Sequence, residues 1–287
     1  MKLSIIIVSY KSEHLIQTIL KKIPKNFQVV IVENSCSHLT KKKIEKKFKN
    51  AEVIIPLKNL GYSSAFNLAY RKCKNNFVLT FTPDVQFDSS LIKKLVKLIK
   101  SFKNFTLLAP VYKNEKIHKN YQINPKGLVA KTQGHNLLQV KDIDWCLCII
   151  NKSKIKNLKL LDENFFLYFE TMDLCLNLIL NKHKFYVVKN LTFDHLGTRS
   201  SKTKFKSDIN LIRNWHYSWS KFYFYKKNYN YFFALRKITP NIYQGIKGAI
   251  KNVFKLNFLH IKLHLASVKG AFNSIFLRKS NFRLKVR

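Results

Sequence analysis

Acidic side chains are scarce in this sequence of 287 residues, which has 15 Asp and Glu against 53 Lys and Arg and a formal net charge of +38. Glycine, alanine and arginine are also sparse, whereas lysine, asparagine, isoleucine and phenylalanine are abundant, as AT-rich coding would give. Part of the positive charge therefore reflects the AT-rich coding sequence and does not by itself indicate a negatively charged binding partner. Hydrophobic residues at 46% and aromatic residues at 14% exclude a disordered chain, and the length suffices for a large core.

The charge is distributed unevenly along the chain. Residues 1–198 hold 33 basic and 14 acidic residues, whereas residues 199–287 hold 20 basic residues and a single acid, Asp208. The shift in composition predicts a catalytic or binding domain over 1–205 and a basic, aromatic helical tail over 206–287. A polyanion, either nucleic acid or an anionic lipid surface, is the natural partner of such a tail.

Paired cysteines and long apolar runs are also missing. The cysteines form no CxxC pair and have no histidine at zinc-site spacing, so we expect free thiols in a reducing compartment. No apolar run approaches the length of a membrane span, and the amino terminus carries no signal-peptide pattern. We therefore expect a cytoplasmic protein that can touch the membrane from the inner side.

Strand and helix patterns alternate four times in the first hundred residues. β-Branched and apolar runs predict strands at 4–10, 27–34, 51–57 and 76–85. Helical spacing fills the intervals, and the last helix begins at the capping residues Asp88 and Ser89. This alternation with short connections predicts an α/β fold with an open, mostly parallel, doubly wound sheet.

The pattern is less regular after residue 105. Residues 105–145 are mixed, a helix-like segment from Lys159 precedes a strand at 184–188, and residues 191–201 predict a loop. Cys146 and Cys148 alternate as on a strand, and we interpret both as core residues.

Polar residues lie at the ends of three of the predicted strands, where ligands bind in such folds. Ser9 and Tyr10 lie at the end of the first strand, Glu33 at the end of the second, and Asp84 at the end of the fourth. Asp84 is a candidate ligand for Mg²⁺ or Mn²⁺ beside a diphosphate, and Glu33 a candidate acceptor for a ribose or base. Taken alone, an ordinary turn is the more common explanation of an acid such as Asp84, and the same alternative applies to Glu33.

Three further features are candidates for chemistry. Gly61 and the small residues after it suit close approach to a diphosphate or ribose, or an ordinary strand-to-helix turn. His195 is a candidate metal ligand or base, or a surface residue, and Asp194 could pair with it. Glu170 and Asp173 lie three residues apart in an apolar setting, which suits a general base, although helix-start acids are an equal alternative.

Six blocks occur together in a characteristic order: SIIIVSYKSEHLIQTIL, VVIVENS, NLGYSSAFN, LTFTPDV, LDENFFLYFETMDLC and HLGTRSS. In this order and spacing the sequence resembles family-2 glycosyltransferases with the A-type fold, and most of all their rhamnosyltransferase-like branch. The resemblance covers roughly residues 3–201. It implies inverting transfer of a sugar from a nucleoside diphosphate to an acceptor hydroxyl, with a divalent cation at the diphosphate and a carboxylate taking the proton.

Matching positions imply roles for individual residues. The donor-binding residues are Ser9, Tyr10, Glu33, Asn34, Asn59, Gly61, Asn67 and Asp84. Asp84 and His195 would contact Mg²⁺ or Mn²⁺, and the acceptor side would hold Asp162, Tyr168 and Trp145. The implied partners are a nucleotide sugar and a glycan or lipid-linked acceptor of cell-envelope polysaccharide synthesis.

The chain departs from the family pattern mainly on the acceptor side. Thr171 stands where the family places its usual base, so Glu170 becomes the preferred base and Asp173 the second choice. Asn177 stands where an arginine is common, and the small pair that usually follows Asp-Trp is replaced at Leu147 and Cys148. A relative that binds the donor but turns over poorly is therefore one alternative, and a basic binding module without catalysis is another.

The tail contains one further pattern. Ile261, Leu265, Val268, Phe272 and Phe276 recur at helical spacing, with lysines beside the stripe. This stripe predicts either an amphipathic helix on an anionic membrane surface or a helix that packs on the rest of the protein. Nucleic acid is the least favoured partner because no RNA- or DNA-binding motif occurs.

Overall fold

The computed structural model describes residues 2–115, 119–123, 129–132, 134–155, 160–197 and 205–283. The chain divides into two compact units. The first comprises Met1–Leu60, Ser64–Leu161 and Leu174–Ser200, and the second comprises Gly61–Ser63, Asp162–Asp173 and Ser201–Arg287. Over the described residues, no helix is long and apolar enough to cross a membrane.

The described strands of the first unit form one sheet. In chain order they are β1 (Ser4–Ser9), β2 (Gln28–Glu33), β3 (Ala51–Ile54), β4 (Phe77–Phe81), β5 (Val85–Gln86), β6 (Leu107–Tyr112), β7 (Tyr121–Ile123), β8 (Val129–Thr132), β9 (His135–Ile143), β10 (Leu147–Asn151) and β11 (Phe185–His195). The spatial order is β3-β2-β1-β4-β10-β6-β11-β9-β7, with β5 paired to β11 and β8 to β9.

The sheet is mixed: along this path four neighbouring pairs of described strands are parallel and four are antiparallel, and most of the strands point in the same direction. Strands β3, β2, β1 and β4 pair in parallel, and β6 and β11 form a second parallel pair. Strand β10 lies antiparallel between β4 and β6. The predicted α/β fold class is thereby confirmed, and the antiparallel strands come from the region after residue 105 that the sequence left unassigned.

Four helices connect the first strands: α1 (Glu13–Leu20), α2 (His38–Lys47), α3 (Gly61–Lys72) and α4 (Ser89–Ser101). Helix α4 shows why they form where they do. Asp88 caps its first turn by accepting from the N–H of Ser90, and Leu91, Leu95 and Leu98 turn one face into the core. Strands β1, β2 and β4 are buried almost throughout, as expected for parallel strands covered on both faces.

Two sequence predictions in the later part are wrong. The helix expected from Lys159 begins only at Glu170, as α5 (Glu170–Leu180), and the described residues before it are turns and bends. The loop expected over 191–201 is a continuation of β11 as far as His195, because Leu191 and Phe193 alternate into the core on either side of exposed Thr192. Residues 198–201 lie outside the described residues.

The second unit consists mainly of three long helices. They are α6 (Lys206–Asn228), α7 (Tyr231–Phe254) and α8 (Phe258–Ile275). Asn230 caps α7 by accepting from Phe233, and Asn257 caps α8 by accepting from His260. The predicted helical character of this part of the chain agrees with these elements, while the proposed boundary at residue 205 stays a prediction.

Candidate functional site

The carboxyl ends of β1 and β2 meet at one edge of the parallel part of the sheet. Ser9 ends β1 in register with Glu33, which ends β2. The Ser9 hydroxyl donates to Glu33 Oε2 at 2.6 Å, and the N–H of Ser35 donates to Glu33 Oε1 at 2.9 Å. Because Ser9 and Glu33 are both buried, the carboxylate is held in one orientation and offers acceptor lone pairs at this edge.

Asn34 directly follows Glu33 at this edge and contacts the loop before α3. Its N–H donates to the carbonyl of Ser9 at 2.8 Å, and its side-chain oxygen accepts from the N–H of Leu60 at 3.2 Å. Tyr10 directly follows β1, and Asn59 lies two residues before α3; both are half-buried. The structure therefore brings Ser9, Glu33 and Asn34 together, as the strand-end pattern predicted.

Asn67 has a clear structural role inside the first unit. Its side-chain oxygen accepts from the N–H groups of Leu160 and Leu161 at 3.1 and 3.0 Å. Its amide nitrogen donates to the carbonyl of Leu161 at 2.7 Å. The buried side chain thus fixes the backbone that leads to Asp162, and its assignment to the donor stays a prediction.

Asp84 and His195 form the second group of the first unit. Asp84 follows β4, and the short strand β5 after it pairs antiparallel with β11, so that His195 lies opposite Val85. Asp84 Oδ1 lies 3.2 Å from His195 Nε2, and the N–H of Leu196 donates to the carbonyl of Asp84 at 3.0 Å. Residues more than a hundred positions apart are therefore placed together by strand pairing.

The ion pair determines the protonation of Asp84. Burial alone would raise the pKa of this carboxyl, but the hydrogen bond and charge of His195, together with the Thr82 hydroxyl, hold the pKa below its ordinary value. The neighbouring acid Asp194 faces Lys113 instead, at 3.9 Å, because successive strand residues point to opposite sides. Of the two acids, Asp84 is thus the partner of His195.

Two residues that the sequence did not single out complete the surroundings of His195. The Tyr112 ring stacks on the imidazole with centroids 6.0 Å apart, and Cys146 Sγ lies 3.6 Å from His195 Nδ1. Burial and the charge of Asp144 raise the pKa of the Cys146 thiol. Cys146 and Cys148 are both buried core residues, as predicted, and Cys146 also lies beside the imidazole.

The donor set of Asp84 and His195 fits a divalent cation held partly by a ligand. A carboxylate oxygen and an imidazole nitrogen 3.2 Å apart can turn toward one ion, and Mn²⁺ or Mg²⁺ accepts such ligands. Among the described residues, no group of three or more His, Cys, Asp and Glu side chains could hold a metal ion. The remaining ligands would therefore be oxygens of a bound diphosphate and water.

In the second unit, Asp162 and Asp173 are joined by a lysine. Lys227 Nζ lies 2.9 Å from Asp162 Oδ2 and 2.6 Å from Asp173 Oδ2. Asp162 also accepts from the Tyr223 hydroxyl at 3.0 Å, and Asp173 accepts from Asn228 at 2.8 Å. Burial favours a higher pKa for Asp162, but the hydrogen bond and charge of Lys227, the N–H of Asn164 and the Tyr223 hydroxyl together lower the pKa. Both acids thereby anchor the end of α6.

Glu170 opens α5 directly after two residues with unusual backbone. Tyr168 and Phe169 have φ angles of 71° and 67°, in the left-handed region that bulky residues rarely adopt. Both rings pack against Tyr217. Glu170 is buried in the first turn, and Thr171 beside it is half-buried. Such local strain is often found at ligand sites, where the surrounding packing maintains it.

Phe166 fixes the position of Gly61. The N–H of Tyr62 donates to the carbonyl of Phe166 at 2.7 Å, and Gly61 adopts a φ of +78° against the Phe166 ring. The same ring stacks on His216 at 4.4 Å and carries the Arg283 guanidinium 3.5 Å from its centroid. The packing of Phe166 therefore requires a glycine at position 61, and no pattern in the sequence predicts this contact.

Trp145 differs from the other predicted acceptor residues because it is buried. Only 2% of its surface is exposed, and its ring meets Phe66 edge-on at 5.3 Å. Its predicted role at the acceptor stays a prediction. Lys227, Tyr223, Tyr112 and His216 were missed because each is an isolated residue whose partner lies tens of positions away.

Comparisons with known proteins agree with this fold. A curated relative, the low-salt glycan biosynthesis hexosyltransferase Agl10 of Haloferax volcanii, is 28% identical over 187 residues, and the alignment covers 60% of this chain and 60% of that protein. The solved mannosyltransferase PcManGT of Pyrobaculum calidifontis matches 96% of this chain and 88% of its own, with a TM-score of 0.57 and 10% identity. TarS 1–349 of S. aureus, solved with UDP, matches 95% and 91%, with a TM-score of 0.53 and 16% identity.

The two solved structures share the fold of this chain at low identity. The sequence profile of Glycosyl transferase family 2 matches residues 4–159, which is more than half of the chain and includes the Ser9, Glu33 and Asp84 strand ends. The chain therefore belongs to glycosyl transferase family 2.

Proposed function

We propose that this protein transfers a hexosyl group from a nucleoside diphosphate sugar to a glycan or lipid-linked acceptor, with inversion, in cell-envelope glycan synthesis at the inner face of the membrane. The observation that carries the proposal is the pairing of Asp84 with His195 at the ends of β4 and β11. The family match supports the reaction class. The hexosyltransferase name of the curated relative agrees with it.

The donor is assigned to the first unit. The fixed carboxylate of Glu33 would accept hydrogen bonds from ribose hydroxyls or the base, and Ser9 keeps it oriented. Asp84 and His195 would hold Mg²⁺ or Mn²⁺, which when bound would neutralise charge on the departing diphosphate. The solved relatives carry GDP-Man with Mn²⁺ in one case and UDP in the other, which supports this class of donor.

The acceptor proton is assigned to Glu170. Asp173 already accepts from Lys227 and Asn228, so a proton taken there would break an ion pair. Glu170 lies one helical turn before it, buried at the start of α5 beside the strained residues Tyr168 and Phe169. Glu170 is therefore the preferred base, because Thr171 stands at the position of the family's usual base. The proposed donor is a dTDP-rhamnose-like or UDP-linked sugar.

The second candidate function is a family member that binds the donor with little turnover. Thr171 favours this reading because its hydroxyl cannot take a proton at neutral pH. A module without any nucleotide-sugar function is the less favoured alternative, given the family match.

The test is a panel of nucleotide sugars with Mg²⁺ or Mn²⁺, measured by calorimetry for binding and by release of nucleoside diphosphate for turnover. Asp84→Ala should abolish the metal-dependent part of binding, because it removes a cation ligand and leaves His195 without its partner. Asp194→Asn is the matched control, since this neighbouring acid faces Lys113, and it should bind as the wild type does.

Glu170→Gln should keep donor binding and lose turnover by about a hundredfold or more, the usual range for a general base. If Glu170→Gln turns over normally while Asp173→Asn is inactive, Asp173 is the base. Binding of every donor by Asp84→Ala as tightly as by the wild type would contradict the proposed site.

A further inference from the structure

Most of the residues that helices α7 and α8 bury are small, whereas many of their large apolar residues are exposed. The buried residues of α8 are Ala266, Gly270, Ala271 and Ser274, and those of α7 are Ala234, Ile238, Gly245 and Ala249. The exposed residues include Tyr243, Ile246, Ile250, Val253 and Phe254 on α7, and Phe258, Leu265, Phe272 and Phe276 on or next to α8. A helix packed in a water-soluble protein normally turns its large apolar residues inward.

Close packing through glycine explains what holds the two helices together. A Cβ on Gly245 would lie 2.6 Å from Val268 Cγ2, and one on Gly248 would lie 2.6 Å from the His264 ring nitrogens. Gly270 packs equally closely on the backbone of Trp215 in α6. Such contacts use small residues to bring helices together, as in membranes, and leave the large side chains free to face outward.

The outward residues of α7 form a strip along the helix. Tyr243, Ile246, Ile250 and Val253 follow three- and four-residue spacing, which places them on one face of α7. At the turn between the helices, Phe254, Leu256 and Phe258 are 84%, 75% and 69% exposed. We call the strip on α7 (Tyr243, Ile246, Ile250 and Val253), together with the turn (Phe254, Leu256 and Phe258), the apolar tip. The stripe predicted on α8 is thus only partly a packing surface, because Leu265, Phe272 and Phe276 remain exposed.

Lysines flank the apolar tip. Lys247, Lys251 and Lys255 recur every fourth residue beside the exposed face of α7, and Lys262 and Lys269 lie beside that of α8. All five are exposed. No Asp or Glu occurs in residues 209–287, so nothing in this part of the chain neutralises them.

We propose that the apolar tip docks into the interface of an anionic lipid bilayer, with its aromatic and aliphatic side chains below the headgroups and its lysines among the phosphates. Apolar burial and attraction to anionic lipid act together in such helices. The regularly spaced lysines place both helices along the interface. The inference rests on the proposed position at a membrane and not on the proposed reaction, so vesicle binding tests it without any sugar transfer.

Charge argues against the two other occupants. In a dimer formed through this surface, each copy would contribute five exposed lysines with no acids between them. The repulsion between these like charges disfavours such a dimer. A nucleic acid would bind the lysines through its phosphates and stack its bases on the aromatic rings. It would not bury the exposed aliphatic residues Ile246, Ile250 and Val253.

The experiment is flotation of the full chain with vesicles of phosphatidylcholine, alone or mixed with phosphatidylglycerol. Phe254→Ser/Phe258→Ser removes apolar contact area at two exposed positions and should lower partitioning onto the mixed vesicles by about tenfold or more. Leu57→Ser/Leu180→Ser changes two equally exposed apolar residues of the first unit and should partition as the wild type does.

The charge contribution has its own pair of variants. Lys251→Glu/Lys255→Glu should lose binding to the mixed vesicles, while Lys42→Glu/Lys46→Glu, with the same spacing on α2, should retain most of it. All four variants alter exposed side chains, so each should remain folded, with a circular dichroism spectrum that matches that of the wild type.

Three results would overturn the proposal. One is a wild-type chain that does not float with mixed vesicles. Another is equal partitioning of Phe254→Ser/Phe258→Ser and the wild type. The third is a lipid-free dimer, or a complex with single-stranded RNA, that these two substitutions abolish while vesicle binding is unchanged.

Discussion

At the scale of single residues, Phe166 links several parts of the second unit. Its backbone carbonyl accepts from Tyr62, its ring fills the space next to Gly61, and His216 and Arg283 pack on its faces. Aromatic stacking and cation–π contacts of this kind contribute on the order of 1 kcal/mol each. The glycine matters here because of both its backbone angle and its neighbour.

Gly61→Ala should destabilise the protein. The new methyl group would overlap Phe166, and an alanine at a φ of +78° is strained in any surroundings, so we expect a loss of about 2 kcal/mol or more in the free energy of unfolding. Urea unfolding followed by tryptophan fluorescence measures it.

Gly134→Ala is the matched control for this substitution. Gly134 has a φ of +72°, and no atom of the described residues lies within 4 Å of the position of a Cβ, so it carries the backbone strain without an overlap of the kind seen at Gly61. Its cost should be clearly smaller than that of Gly61→Ala. Equal costs would mean that backbone strain, and not Phe166, decides the effect.

At the scale of elements, helix α6 is connected to the carboxyl-terminal segment through His216. Its Nε2 lies 2.9 Å from the carbonyl of Phe282, and its Nδ1 lies 3.0 Å from the Ser280 hydroxyl. A neutral ring that donates from Nε2 and accepts at Nδ1 satisfies both contacts. Burial, together with the charge of Arg283, lowers the pKa of His216 to about 3.

This pKa predicts how stability depends on pH. The unfolded chain binds a proton at His216 below about pH 6.5, while the folded chain resists it down to a pKa of about 3. The unfolded state therefore holds more protons in this window, and the stability of the wild type falls as the pH falls through it. One such proton corresponds to a slope of about 1.4 kcal/mol per pH unit.

Removing the titrating group should make that slope shallower. In His216→Asn, the free energy of unfolding measured by urea titration between about pH 6.5 and about pH 4 should change less steeply than in the wild type. The exposed residue His14 offers the control, since His14→Asn should keep the wild-type slope. An unchanged slope in His216→Asn would mean that the ring is protonated in the folded state.

At the scale of the whole molecule, the formal charge of +38 dominates the electrostatics. With only 15 acids, repulsion among the 53 basic residues exceeds what ion pairs can offset. Raising salt from about 10 to about 100 mM shortens the screening length from about 30 to about 10 Å. The thermal midpoint should therefore rise with salt, by about 2 °C or more, as measured by circular dichroism.

The sign of this effect distinguishes repulsion from attraction. Lys42→Glu/Lys46→Glu lowers the formal charge by four at exposed positions of α2 and should reduce the dependence of the midpoint on salt. A midpoint that falls with salt would show that ion pairs, such as those of Lys227, outweigh the net repulsion.

The α/β architecture and the group of polar residues at the ends of β1, β2 and β4 could be predicted from the sequence alone. Strand and helix periodicities are local, and parallel strands end at one edge, so the placement of Ser9 and Glu33 followed from the order of the elements. The sequence failed after residue 105, where antiparallel strands come from distant segments, and at 191–195, where an acid and a histidine concealed the alternation of a strand.

Which side chains contact one another could be seen only in the folded protein. Because of strand pairing, and not of sequence proximity, His195 contacts Asp84, whereas Asp194 contacts Lys113. A single lysine of α6 holds Asp162 and Asp173, and glycine packing turns the large residues of α7 and α8 outward. The physical reason is that periodicity indicates an apolar face on an element, whereas contacts between residues far apart in the chain determine what that face meets.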